Sequence, residues 1–182
     1  MITMLSKVSP PITKMIRLDH THVLATFHQY TLNKATKTRQ ALIKNISLAL
    51  EIHAQLEEEI FYPEMRKLAN EPVIEKSVPE HDEMRRLIKK LRESQPTDIR
   101  GDIHGDDYDK TVMDLMRDVM HHVADEETVL LPEAEKLLSN EKLCELGAQM
   151  TKRRLQLMAP HTGEIAMSTL RGFSQSPMVI LT

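Results

Sequence analysis

One phrase occurs twice in this chain. His53 is followed by Glu57 and Glu58 and, ten residues on, by Pro63; His122 is followed at the same spacings by Glu126, Glu127 and Pro132. Residues seven to nine after each histidine are apolar or tyrosine, Ile60-Phe61-Tyr62 in one copy and Val129-Leu130-Leu131 in the other. Residues four apart on a helix lie one above the other on the same face. Each copy therefore aims an imidazole and a carboxylate at a common point, a metal-ligand arrangement that presupposes helices.

The remaining sequence supplies them. Charged residues make up 28% of the 182, hydrophobic ones 41%, and glycine only 5 residues, which favours an all-α globular chain. Apolar residues recur at spacings of three and four in four segments, each stripe including a ligand-type residue. The first, roughly 11–33, runs Ile16, His20, Val23, Phe27, Tyr30; the second, roughly 38–69, runs Leu42, Ile46, Ala49, His53, Leu56, Ile60. The third, roughly 78–94, carries His81, Met84, Ile88 and Leu91, with Pro79 suited to its first turn. The fourth, roughly 108–137, runs Val112, Leu115, Val119, His122, Glu126, Val129, Glu133.

Four helices with short connections imply an antiparallel up-down four-helix bundle over residues 11–137. Equal climb per residue puts the turn between two level ligands midway between them. For His20 and His53 the midpoint falls between Thr36 and Lys37, and for His81 and His122 between Gly101 and Asp102, both in expected turns. The middle connection, with Pro72 nineteen residues after His53 but nine before His81, calls for a partly extended return. Residues 138–182 form an additional C-terminal helix, ending about Met158 and containing Gly147, and a tail, both expected to pack on the bundle.

The inward polar residues are His20, His53, Glu57, His81, His122 and Glu126. Burying them together without a cation would cost kilocalories for each group. Cys144 is the single cysteine, so the ligands are nitrogen and oxygen. Two carboxylates on diagonal helices can bridge two ions while two histidines cap each, and iron leads manganese and zinc for such a donor set. Glu58 and Glu127 are read as a solvated face, with auxiliary ligands or acceptors that orient a ligating imidazole as the alternative, and His121, rotated about 100° from His122, as a residue behind the ligands or on the surface. His22, His28, His104 and His161 are read as surface residues, Pro63 and Pro132 as kinks, and Met84, Met113, Met116 and Met120 as bundle filling.

The ordered motifs Asp19-His20, His53-x-x-x-Glu57-Glu58, Glu80-His81 and His122-x-x-x-Glu126-Glu127 resemble those of the hemerythrin-like family, the HHE cation-binding domain, over about residues 15–137. The resemblance implies a bundle holding two iron ions, oxo-bridged or carboxylate-bridged, that meets a small diatomic ligand or peroxide. Oxygen-carrying members use an extra histidine where this chain has Arg85, so it is similar instead to the four-histidine, two-glutamate branch of sensors and iron–sulfur repair proteins. Nothing before His20 matches the cysteine-bearing segment of the repair proteins. Binding or sensing of oxygen, nitric oxide or iron is the leading expectation. The alternatives are a di-iron enzyme turning over peroxide or nitric oxide, iron donation to clusters, and a structural zinc site.

A net charge of -3 with interspersed signs and 3% aromatic residues argues against nucleic acid as a partner. The absence of a long apolar run argues against membrane, and the start MITMLSKVSPPITK lacks a signal peptide's apolar stretch, so a cytoplasmic location is expected. The C-terminal region is the expected contact for a homodimer or protein partner.

Overall fold

The computed structural model describes residues 9–68, 71–94 and 107–161. Among these residues the chain is an all-α bundle with a C-terminal helix and no strand. Helix α1 is Ile12–Phe27; α2 is Thr36–Leu56 and runs through a π-helical turn, Glu57–Phe61, into α3, Tyr62–Arg66. Helix α4 is Glu71–Glu93. Helix α5, Asp107–Asp125, passes through a second π-helical turn, Glu126–Leu130, into α6, Leu131–Leu137. Helix α7, Asn140–Met158, opens with the Ser139 hydroxyl accepting from the Lys142 N–H at 3.2 Å.

Two hydrophobic clusters set the helix directions. One gathers Val23 and Phe27 late in α1, Ile43 to Leu50 in α2, Met84 to Leu91 late in α4 and Tyr108 to Val123 in α5. The other gathers Ile12 and Ile16 at the start of α1, Leu56 to Met65 at the end of the second leg, Ile74 early in α4, and Leu130 to Ala134. Successive legs therefore run between the two clusters in alternating directions, up-down-up-down. Leu143, Leu146 and Met150 of α7 join the second cluster, so the C-terminal helix completes one end of the core.

Each cluster buries more than ten apolar side chains, which at roughly 1.5–3 kcal/mol per large side chain outweighs local defects in the helices. Pro79 shows this. It lies inside α4 rather than in its first turn, because the helix starts at Glu71, with Pro72 in the first turn instead. A proline inside a helix costs about 3 kcal/mol, but Ile74, Ser77 and His81 around it are all buried and carry the helix through. The early start also removes the need for an extended return. Arg66 lies thirteen residues beyond His53 and Glu71 ten before His81, so the two legs nearly match. Helix α1 ends at Phe27, short of the expected 33. Tyr30 is nevertheless buried, its hydroxyl donating to Asp109, which also takes Arg39 at 2.7 Å.

The prolines of the two repeats are accommodated by the π-helical turns. A proline lacks the N–H for the usual bond and its ring collides with the carbonyl four residues back. In both copies the residue just before it donates instead to the carbonyl five back, Tyr62 to Glu57 and Leu131 to Glu126. The extra residue rotates everything beyond it. Phe61, Tyr62 and Met65, and Leu130, Leu131 and Ala134, fill the core, whereas Ile60 is only half-buried and Val129 is 43% exposed. The expected continuation of the stripes through Ile60, and through Val129 and Glu133, is corrected by one residue for this reason.

Gly147 marks where α7 meets the chain entering α1: a Cβ there would stand 2.0 Å from the carbonyl oxygen of Pro10. Arg153 pairs with Glu59 at 2.6 Å and Arg154 with Asp19 at 2.6 Å, so two adjacent arginines clamp α7 to α1 and to the first π-helical turn. Among the described residues no helix is long and apolar enough to cross a membrane.

Candidate metal centre

Between the two apolar clusters lies a polar layer. His20 falls between Ile16 and Val23, His53 between Leu50 and Leu56, His81 between Ile74 and Met84, and His122 with Glu126 between Val119 and Leu130. All six sequence-predicted residues are brought together there and all are buried. His20, His53, Glu57 and Glu126 form one group whose potential ligand atoms lie within 4.8 Å of one another; Glu57, His81 and His122 form a second, and Glu57 belongs to both.

The spacings suit coordination. Two ligands at right angles on an ion about 2.1 Å from each stand about 3 Å apart. His81 Nε2 is 3.1 Å from His122 Nε2, His53 Nε2 is 3.2 Å from Glu57 Oε2, and His20 Nε2 is 3.3 Å from Glu126 Oε2. His20 Nε2, His53 Nε2, Glu57 Oε1 and Glu126 Oε2 are buried without a hydrogen-bond partner, which buried polar atoms rarely are. An ion accepting their lone pairs removes that cost, so the donor set fits a cation.

The outward nitrogens are held by a ring of carboxylates. Glu127, after α5, lies 2.9 Å from His20 Nδ1 on α1, and Asp19 on α1 lies 3.5 Å from His53 Nδ1 on α2. Glu58, after α2, lies 2.8 Å from His81 Nδ1 on α4, and Glu80 on α4 lies 3.1 Å from His122 Nδ1 on α5. Each leg of the bundle thus offers a histidine inward and sets a carboxylate beside the outward nitrogen of the next, by a hydrogen bond at His20, His81 and His122 and by a longer ion-pair contact of 3.5 Å at His53. A carboxylate at Nδ1 fixes the tautomer that leaves Nε2 free for a metal. Glu58 and Glu127 thus take the alternative role, orienting an imidazole, while remaining partly exposed. Asp19 and Glu80 had a visible signal, adjacency to a ligand-type histidine, but each serves the histidine of a different helix.

Without an ion the layer is balanced by protons. Burial pulls the imidazole pKa values down, but Glu126 for His20 and Glu57 for His81 more than reverse it, and both end raised. His122 is pushed up to about 10, Glu57 and Glu80 overcoming its burial. Glu57 itself is held well below the usual carboxylate range, its burial outweighed by His53, His122 and His81.

The family description Hemerythrin HHE cation binding domain matches residues 12–134, from the start of α1 into α6. The chain belongs to this family. This HHE domain is 28% identical over 131 residues to a protein of Nostoc sp. described as a DNA nickase; the match covers 72% of this chain and 35% of that protein. The chain therefore spans well under half the length of that relative. No solved structure matches the chain.

Several other side chains of the HHE domain complete the site. Arg85 donates to both oxygens of Glu58 at 2.7 and 2.8 Å, so it secures the carboxylate that orients His81. Tyr62, a buried member of the second apolar cluster whose hydroxyl donates to Glu126 at 2.8 Å, was not singled out in the sequence, where it reads as part of an apolar run. A void of about 10 Å³, room for one water-sized molecule, lies on the side of the histidines lined by Val23, Leu50, Met84 and Val119. A groove of about 370 Å³ between α1, α2 and α7, lined by Asn45, Leu48, Ile52, Arg154 and Met158, reaches Asp19 and His53 from outside.

His22, His28 and His121 are exposed, His161 is half-buried, and His104 lies outside the described residues. Met84 is core, but Met113 and Met120 are 41% and 53% exposed and do not fill the bundle. Cys144 is half-buried.

Proposed function

We propose that the chain holds two iron ions through His20, His53, Glu57, His81, His122 and Glu126 and uses them to bind or sense a small molecule such as oxygen or nitric oxide. The observation that carries this reading is the convergence of four inward Nε2 atoms on two carboxylates, each Nδ1 facing a carboxylate of its own. Glu57 reaches both groups, which favours a pair of ions over one. Bound there, iron would supply a redox couple and open positions for a small ligand. The chain's part is to fix the imidazoles, to exclude bulk water with the two apolar clusters, and to leave a void that admits only a small molecule.

Sensing is supported over turnover by the attachment of α7. Arg154 grips Asp19, the carboxylate 3.5 Å from His53 Nδ1, and Arg153 grips Glu59, two residues beyond Glu57. A change in charge or geometry at the ions is thus two contacts away from a C-terminal helix. Nicking of DNA is said of the Nostoc relative; with 35% of that protein matched and a net charge of -3 here, we do not carry it over.

The test is spectroscopic. The reduced, iron-loaded protein is mixed anaerobically with oxygen or nitric oxide and its visible spectrum followed, with reversal on ligand removal. A stoichiometric, reversible change supports binding or sensing, whereas steady consumption of many equivalents would replace that reading with an enzymatic one. Protein that takes up about one zinc ion per chain in preference to iron would support the structural-site reading.

A further inference from the structure

We propose that Tyr62 is itself a metal ligand, its phenol oxygen occupying a coordination position of the ion held by His81, His122 and Glu57. The inference rests on the metal-centre reading above and adds to it a donor outside the six His and Glu residues.

Three observations carry it. The phenol oxygen lies 2.8 Å from Glu126 Oε1, 3.3 Å from Glu57 Oε2 and 3.5 Å from His81 Nε2. The distances to Glu57 and His81 fall among those between the proposed ligands themselves, 3.1 to 3.9 Å, and the 2.8 Å contact is a hydrogen bond to Glu126, so the oxygen sits within reach of an ion held there. Next, the two half-sites are unequal. One brings together four ligand residues, the other only three, and the phenol ring lies on His81 of the poorer one, its oxygen between that imidazole and Glu126 of the richer. Finally, the side chain is held rather than free. Tyr62 is fully buried, and its ring stacks on His81 with centroids 5.8 Å apart and planes at 20°.

The position follows from the π-helical turn. In an unbroken α-helix the residue five beyond Glu57 would point well away from it, at 100° per residue. The extra residue in the turn returns Tyr62 to the ligand face, next to the carboxylate that opens the turn. The second repeat has Leu131 at the equivalent place, equally buried, so only one ion of the pair gains the phenol. The sequence repeat therefore encodes an asymmetric pair. With an ion bound there, the phenol would give up the proton it donates to Glu126, released ultimately to solvent, and offer the freed oxygen lone pair to the metal.

Ferric iron bound by a phenol oxygen has a charge-transfer band in the visible, and resonance Raman excitation within it enhances the ring and C–O modes of the bound tyrosine. Full-length protein loaded with ferric iron is compared with Tyr62→Phe, with iron measured in both. Expected are tyrosine modes in the wild type and their complete loss in Tyr62→Phe when the spectra are compared per bound iron. Iron bound at the expected content with no tyrosine modes in the wild type overturns this inference alone and leaves Tyr62 as a hydrogen-bond donor to Glu126. Failure to bind iron overturns both this inference and the metal-centre reading. The wild-type spectrum decides even if the variant folds poorly.

Discussion

Glu58 and His81 meet through the histidine's outward nitrogen, Oε1 to Nδ1 at 2.8 Å, while the residue before Glu58 in the chain faces the inward nitrogen of the same ring at 3.4 Å. Two consecutive glutamates thus address opposite edges of one imidazole from another helix. Removing the outer one should loosen the ring without deleting a ligand. Glu58→Ala is expected to weaken metal binding about 10- to 100-fold, the usual cost of losing such a partner. Competition with a chelator of known affinity measures it, and an unchanged affinity would argue that the carboxylate ring is incidental. Arg85→Ala, which frees Glu58, should move affinity in the same direction by less.

Metal affinity and the stability of the metal-free protein should respond to pH in opposite senses. His20, His81 and His122 have raised pKa values in the folded, ion-free protein, His122 about 10 against 6.5 for a free side chain. A group raised on folding stabilises fully below its unfolded pKa and loses that contribution as pH climbs through the folded one. The metal-free protein should therefore melt at falling temperature between pH 6.5 and 10, whereas metal, which displaces the same protons, should bind more tightly over that window. Melting curves with and without metal should diverge as pH rises; curves that stay parallel would count against shared sites.

Gly147 tests the docking of α7. Alanine is about 1 kcal/mol the better helix former, so an exposed helix would gain from Gly147→Ala. Here the added carbon would lie 2.0 Å from the Pro10 carbonyl, a backbone atom that cannot swing aside. Overpacking of that kind costs about 1–3 kcal/mol. The net expectation is a lower melting temperature, and a rise would show that α7 stands further from the bundle than described.

The sensing reading predicts that α7 feels the ions. Hydrogen exchange of the Asn140–Met158 amides should slow when iron is added to the wild type. The same addition to Arg154→Ala should slow it less, since Asp19 and His53 are then uncoupled from α7. Equal protection in both would leave α7 as packing only.

The helices, their alternating directions and the level of the ligand layer were legible because they depend on periodicity and on climb per residue. His20, His53, His81 and His122 each interrupt an apolar stripe at a height that arithmetic alone could match. What escaped the sequence came mostly from the π-helical turns. A proline ten residues after a histidine reads as a kink; only burial of Phe61, Tyr62, Leu130 and Leu131 shows that one residue is absorbed in a wider turn, which carries Tyr62 into the site and Val129 out of the core. The ring of Asp19, Glu58, Glu80 and Glu127 was legible only as the alternative role of Glu58 and Glu127, and its pairings escaped for another reason. Each carboxylate serves a histidine on a different helix, and a one-dimensional pattern holds no record of which helices are neighbours.

The central claim is most directly tested by elemental analysis of protein purified from iron-supplemented cells, wild type against Glu57→Ala. Glu57 is the residue shared by both groups. The account predicts about two iron ions per wild-type chain and loss of both, not one, in the variant. Wild-type protein without stoichiometric metal, or a variant that keeps its full complement, would contradict it.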